Sequence, residues 1–168
     1  MMPQDFAPST EREAICGFLD LQRAALVRKV EGVDEAAART APTASSLSLL
    51  GLLKHSALWE RRWFQVIVAG RTFPGEWPGI EVTGDETDAE DFRVDERDTV
   101  SRWVAYFDEQ AAISRQVTAD RELSALCAWL PLADRNLCWV LLHMIEETAR
   151  HAGHADIIRE TIDGSKGI

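Results

Sequence analysis

Apolar residues recur at helical spacing along four long stretches of this chain, and no pair of segments shows the strict alternation of half-buried strands. A chain patterned this way has stripes to bury rather than sheet faces, so helix-on-helix packing is the architecture open to it. The first stretch is predicted from about Thr10 to Val30: Ser9 and Thr10 offer a cap, Glu11 and Glu13 suit the first turn, and Ile15, Phe18, Leu19, Leu21, Leu26 and Val30 form the stripe before Gly32 stops it. The second follows the hydroxyl-rich Pro42-Thr43-Ala44-Ser45-Ser46 and runs from about Leu47 to Ala69, ending at Gly70. The third spans about Glu96 to Ala119, with Val100, Trp103, Val104, Phe107, Ala111, Ile113 and Val117 in phase. The fourth, announced by Pro131 and Asp134, spans about Arg135 to Ile162 and closes at Gly164.

Between the second and third stretches lies an irregular segment, Gly70 to Asp95, with Pro74, Gly75, Pro78, Gly79 and Gly84 and then an acidic run from Asp85 to Asp91. A connection that long suits a crossover or a cover over a site, and the acidic run reads as a solvated surface. The expectation is therefore an all-α, four-helix bundle with one long crossover connection, forming a single domain over residues 1–168.

A chain of 168 residues buries roughly two thirds of its unfolded surface, so neither disulfides nor a metal is needed for stability alone. The formal charge of −10 repels phosphate backbones and anionic lipid heads, which argues against nucleic-acid and membrane partners. Cys16, Cys127 and Cys138 form no CxxC pair and suit a reducing compartment, as small buried hydrophobes. The N-terminus lacks a basic region followed by an apolar stretch, and the apolar run Leu137 to Leu142 is far too short to span a bilayer, so a cytoplasmic location is expected. Nucleotide-binding GxGxxG and GK[ST] patterns and the HExxH of metalloproteases are absent from the sequence.

The chain has four histidines, and three of them, His143, His151 and His154, fall in the last helical stretch; the fourth, His55, lies mid-way along the second. His143, Glu147 and His151 are spaced four apart on one face, but the outer pair stands about 12 Å apart along the axis, so one ion cannot take all three. On a wheel at about 100° per residue with Met144 at zero, His151 falls at about −20° and Glu147 at about −60°, inside the apolar stripe. On the same wheel His154 and His143 fall at about −80° and −100°, towards the edge, where they would orient a ligand or face a substrate. His55 lies among Leu52, Leu58, Trp59 and Val66 and also points inward.

Inward histidines and an inward carboxylate must be neutralised, paired or metal-bound. His55, Glu147 and His151 make a His₂Glu set with open positions, the donor count of a catalytic zinc site, and a hydrogen-bonded His–Glu network is the alternative. Arg62, about −20° from His55 on the wheel, could meet an anionic group of a thiol or substrate, or form an ion pair with Glu60 or another surface acid. Trp59 and Trp63 share the inward side, as a pocket wall or as core packing. Glu146 and Asp156 could orient ligand histidines or be solvated.

The segment from Leu52-Leu53-Lys54-His55 through Trp59-Glu60-Arg61-Arg62-Trp63-Phe64, together with His143 to Asp156, resembles the DinB-like superfamily, in its actinobacterial branch related to mycothiol-dependent enzymes. The resemblance implies a four-helix bundle carrying a divalent metal, zinc first and nickel second, on three side chains of the second and last helices. Many members use three histidines, the last two as HxxxH. Here Glu147 stands in place of the first of that pair, similar to the His/Glu/His set of mycothiol-dependent maleylpyruvate isomerase.

That relative has an additional C-terminal domain beyond the stretch matched here, so transfer is implied rather than isomerisation. The implied function is metal-dependent transfer of a low-molecular-weight thiol, mycothiol or bacillithiol, to an electrophile, in detoxification or stress, with a homodimer as a possible assembly. A hydrolase using the same open position, or a metal- or ligand-binding stress protein without turnover, are the other readings.

Overall fold

The computed structural model describes residue 7 and residues 10–73 and 90–166. Within these residues the chain is helical, with four long helices and no strands beyond an isolated antiparallel bridge between Leu126 and Asn136. Helix α1 spans Glu11–Val30 and opens on a capping box, in which the Thr10 hydroxyl accepts from the Glu13 amide and the Glu13 carboxylate accepts from Thr10. A single turn, α2 (Glu35–Ala38), follows, capped by Asp34. Helix α3 (Leu49–Arg61) begins two residues later than the sequence pattern suggests, because the Ser48 hydroxyl, rather than the earlier run of caps, accepts from the Gly51 amide.

Helix α3 then widens into a π-helical stretch, Arg62–Val68. Arg62, Trp63, Phe64 and Gln65, four consecutive side chains of this stretch, are all buried. Helix α4 (Val100–Ala119) is capped by Thr99, and α5 (Leu137–Asp163) by Asn136. The long α5 ends at Gly164, whose φ of 78° gives the left-handed turn a helix C-terminus requires. The expected cover segment and most of its acidic run, residues 74–89, lie outside the described residues.

Helix α3 is the hub. It packs on α4 along its length and also on α5 and α1, while α1 lies mainly along α5. Two core clusters follow each other along this hub: Leu26, Leu49, Leu52, Leu53, Phe107 and Ile158 gather around α3 itself, and Leu19, Phe64, Ile67, Leu137, Leu141 and Met144 around its π turn. The loop between α4 and α5 docks on the π turn, where the amides of Ala128 and Trp129 both donate to the Ile67 carbonyl.

One buried ion pair joins α1 to α3. Glu60 is fully buried, and both of its oxygens accept from the Arg23 guanidinium, which also bonds Asp20 at 2.7 Å. The sequence alternative of a Glu60–Arg62 pair is thus not the one formed. Removing one member of a buried pair leaves an uncompensated charge, so Arg23→Met is expected to cost about 3–5 kcal/mol in denaturant unfolding. Replacing Arg23 and Glu60 together by Met is expected to recover most of that loss, since no charge then remains stranded.

Candidate metal centre

His55 comes from the middle of α3 and His151 from the middle of α5, and the α3–α5 contact sets their rings edge to face with centroids 4.8 Å apart. Both are buried, at 8% and 5% exposure, as the helical phase predicts. Phe92, from a 3₁₀ turn at Glu90–Phe92, stacks on His55 at 4.0 Å and 10° and meets His151 edge-on at 5.8 Å. Nδ1 of His55 and both ring nitrogens of His151 are buried without a hydrogen-bond partner. Unsatisfied buried nitrogens in one spot are costly, and a cation that accepts the one lone pair of each neutral ring relieves part of that cost. The pair therefore fits a divalent metal.

Glu147 lies one turn before His151. Its Oε2 stands 3.8 Å from His151 Nε2, while its Oε1 accepts from Arg150 at 2.7 Å. The two oxygens are thus divided between the histidine and the arginine. Among the described residues, the three side chains whose donor atoms all fall within 4.8 Å of one another are His143, Glu146 and Glu147, a different set that shares Glu147. That set is more open to solvent, and its two carboxylates share the Arg150 guanidinium, each at 2.7 Å, which offsets part of their charge. The buried histidines, having no such partner, are the better-motivated donors.

Burial, and secondarily the neighbouring His151, push the His55 imidazole down to about 3. Burial, then His154 and Arg150, push His151 down to about 4. Both rings are therefore neutral, with lone pairs available, throughout the physiological range.

The remaining sequence candidates surround this centre. Trp59, one turn along α3, tilts against His55 at 5.7 Å, with the Arg62 guanidinium 4.5 Å above its indole. Beyond it Trp63 lies 6.5 Å from Trp59 and meets His143 at 4.5 Å, and His143 stacks on Trp139 at 5.1 Å. An aromatic wall thus runs from the buried histidines to the partly exposed Trp139. His154 is half-buried, its ring 6.1 Å from His151. Glu146 bonds Arg150 at 2.7 Å, and Asp156 bonds Lys29 at 2.6 Å. Sequence reasoning missed Phe92, which sits in a segment without periodicity; an aromatic residue just before the third helical stretch was its only signal.

With this geometry established, comparison with known proteins decides the family. The sequence matches the mycothiol S-transferase family over residues 14–164, nearly the whole chain. The chain belongs to this family. The same fold is found in the crystal structure of a conserved protein from Enterococcus faecalis, with a TM-score of 0.63 and 17% identity over 94% of this chain and 100% of that one. No curated protein matches the chain. Membership in the mycothiol S-transferase family accords with the thiol-dependent chemistry expected from the sequence, and no helix of the described residues is long and apolar enough to cross a membrane.

A histidine held neutral in the folded state takes up a proton on unfolding whenever the pH lies below the unfolded value of about 6.5 and above the folded one. The metal-free protein is accordingly expected to keep its full histidine contribution above about pH 6.5 and to lose stability as the pH falls towards 4, by up to about 1.4 kcal/mol per pH unit for each ring. Denaturant unfolding between pH 4 and 7 checks this, and His151→Phe is expected to halve that part of the slope.

Proposed function

We propose that this protein transfers a small cytosolic thiol to an electrophile, with His55, Glu147 and His151 holding one divalent cation, zinc before nickel. The observation that carries the reading is the pair of neutral, unbonded imidazoles brought together by α3 and α5 in a member of the mycothiol S-transferase family. A bound divalent cation would stabilise the thiolate form of the co-substrate near neutral pH, and the thiolate is the nucleophile. One carboxylate beside two neutral imidazoles leaves a unit of positive charge on such a site, which favours an anionic sulfur.

The chain's own residues supply the rest. Glu147 turns one oxygen to His151 and gives the other to Arg150, so its carboxylate is held in place without being fully neutralised. Trp59, Trp63 and Trp139 exclude water along one side and offer flat apolar surface to the electrophile. His143 lines the same wall, and Arg62, over Trp59, keeps a positive charge beside it for an anionic group of either substrate. His154 borders His151 from the next turn.

Metal analysis of protein purified without a polyhistidine tag, before and after zinc or nickel addition, tests the site. About one ion per chain is expected in the wild type, lost in His55→Ala and His151→Ala. Glu147→Gln is expected to weaken metal binding by at least the ~10-fold typical of removing an outer partner, and activity with it. Consumption of an alkylating electrophile is expected only when mycothiol is added. A wild type that stays metal-free, or consumption that ignores the thiol, would contradict the proposal.

A further inference from the structure

A histidine bound to a metal ordinarily donates its other ring N–H to a carboxylate or carbonyl, which fixes the plane of the ring. With the metal on Nε2, the Nδ1 N–H of His55 has no such partner, being buried and unbonded. What touches the ring instead is Phe92, parallel to it at 4.0 Å and 10°. The stack fixes the plane of the imidazole as a hydrogen bond would, although it does not choose between the two flipped orientations.

Phe92 is itself held rigidly. Its carbonyl oxygen lies 2.5 Å from where a Cβ on Gly51 would stand, so the turn can settle on α3 only because residue 51 is glycine. One turn further along α3, Lys54 reaches up to the same segment, donating to the Arg93 carbonyl at 2.7 Å and to the Asp98 carboxylate at 3.1 Å. Asp98 also accepts from Trp103 Nε1 and from the Asp95 amide, each at 2.8 Å, and Arg39, just past α2, donates to the Asp95 and Asp98 carbonyls. The polar strut ends in an apolar ring placed flat on the imidazole.

We propose that Phe92 is the positioning residue for His55, its ring stack standing in for the usual hydrogen bond, with Gly51 and the Lys54–Asp98 pair acting through it. The proposal rests on the reading of His55 as a metal ligand. Phe92 acts through His55, on how well that ring is presented.

Zinc affinity, measured by competition with a chelator, tests this without reference to activity. Phe92→Leu keeps the burial but loses the flat ring, and is expected to weaken zinc binding by about 10- to 100-fold, while Phe92→Tyr restores it to near the wild-type value. Gly51→Ala, which retains Phe92 but pushes its turn away, is expected to weaken binding in the same direction. The cobalt(II) form separates positioning from general loosening: its d–d spectrum is expected to shift in Phe92→Leu and Gly51→Ala and to return in Phe92→Tyr, with far-UV circular dichroism unchanged throughout.

A folded Phe92→Leu protein that binds zinc within about twofold of wild type, with an unchanged cobalt spectrum, would overturn the proposal while leaving His55 a ligand. Should Phe92→Leu not fold, Gly51→Ala and Phe92→Met are judged by the same criteria. Retention of zinc by His55→Ala, or no zinc in the wild type, would remove the metal reading and this inference together.

Discussion

Two imidazoles meet edge to face inside the bundle, and three of their ring nitrogens have no hydrogen-bond partner. Polar atoms in an interior are normally satisfied, so a protein retains such an arrangement only where something else completes it. Burial keeps both rings neutral, which turns a liability of the apo interior into a pair of ready donors. On the proposed reading, membership in the mycothiol S-transferase family gives that completion a chemical sense, because a bound cation favours the thiolate form of sulfur.

The rest of the fold serves to keep those two rings in register. His55 and His151 sit on different helices, so their separation depends on how α3 lies against α5. Helix α3 is fixed from three sides: by the Arg23–Glu60 pair to α1, by apolar packing on α4, and by the α4–α5 loop that bonds its π turn at Ile67. The π turn also carries Arg62 and Trp63, both buried, one turn beyond Trp59. Helix α5 is fastened to α1 by the Lys29–Asp156 ion pair and by Arg159, which donates to the Lys29 and Glu31 carbonyls at the end of α1.

Much of this was legible in the sequence, and the reasons are local. Four helices could be read because period and punctuation agree: Thr10 caps the first, and Gly70 and Gly164 end the second and last with left-handed turns. His55 and His151 were legible as inward because each shares the phase of a strong apolar stripe. Glu147 was read only in part, since a wheel gives its direction but not the claim Arg150 makes on its carboxylate. Pairings between distant charges were not legible. Glu60 had Arg62 nearby in sequence, yet Arg23, 37 residues away, reaches it across the interior. Phe92 was hidden for a different reason: its role depends on an absent Cβ at Gly51, and an absence gives no period to read.

The central claim is that the cation, when present, is held by imidazoles from two different helices. X-ray absorption at the zinc edge of the loaded wild-type protein tests it most directly. The account predicts a coordination shell with two imidazole ligands, gaining a sulfur scatterer when the thiol is added. A shell with a single imidazole among oxygens, as His143, Glu146 and Glu147 would provide, or one with no imidazole at all, would contradict it.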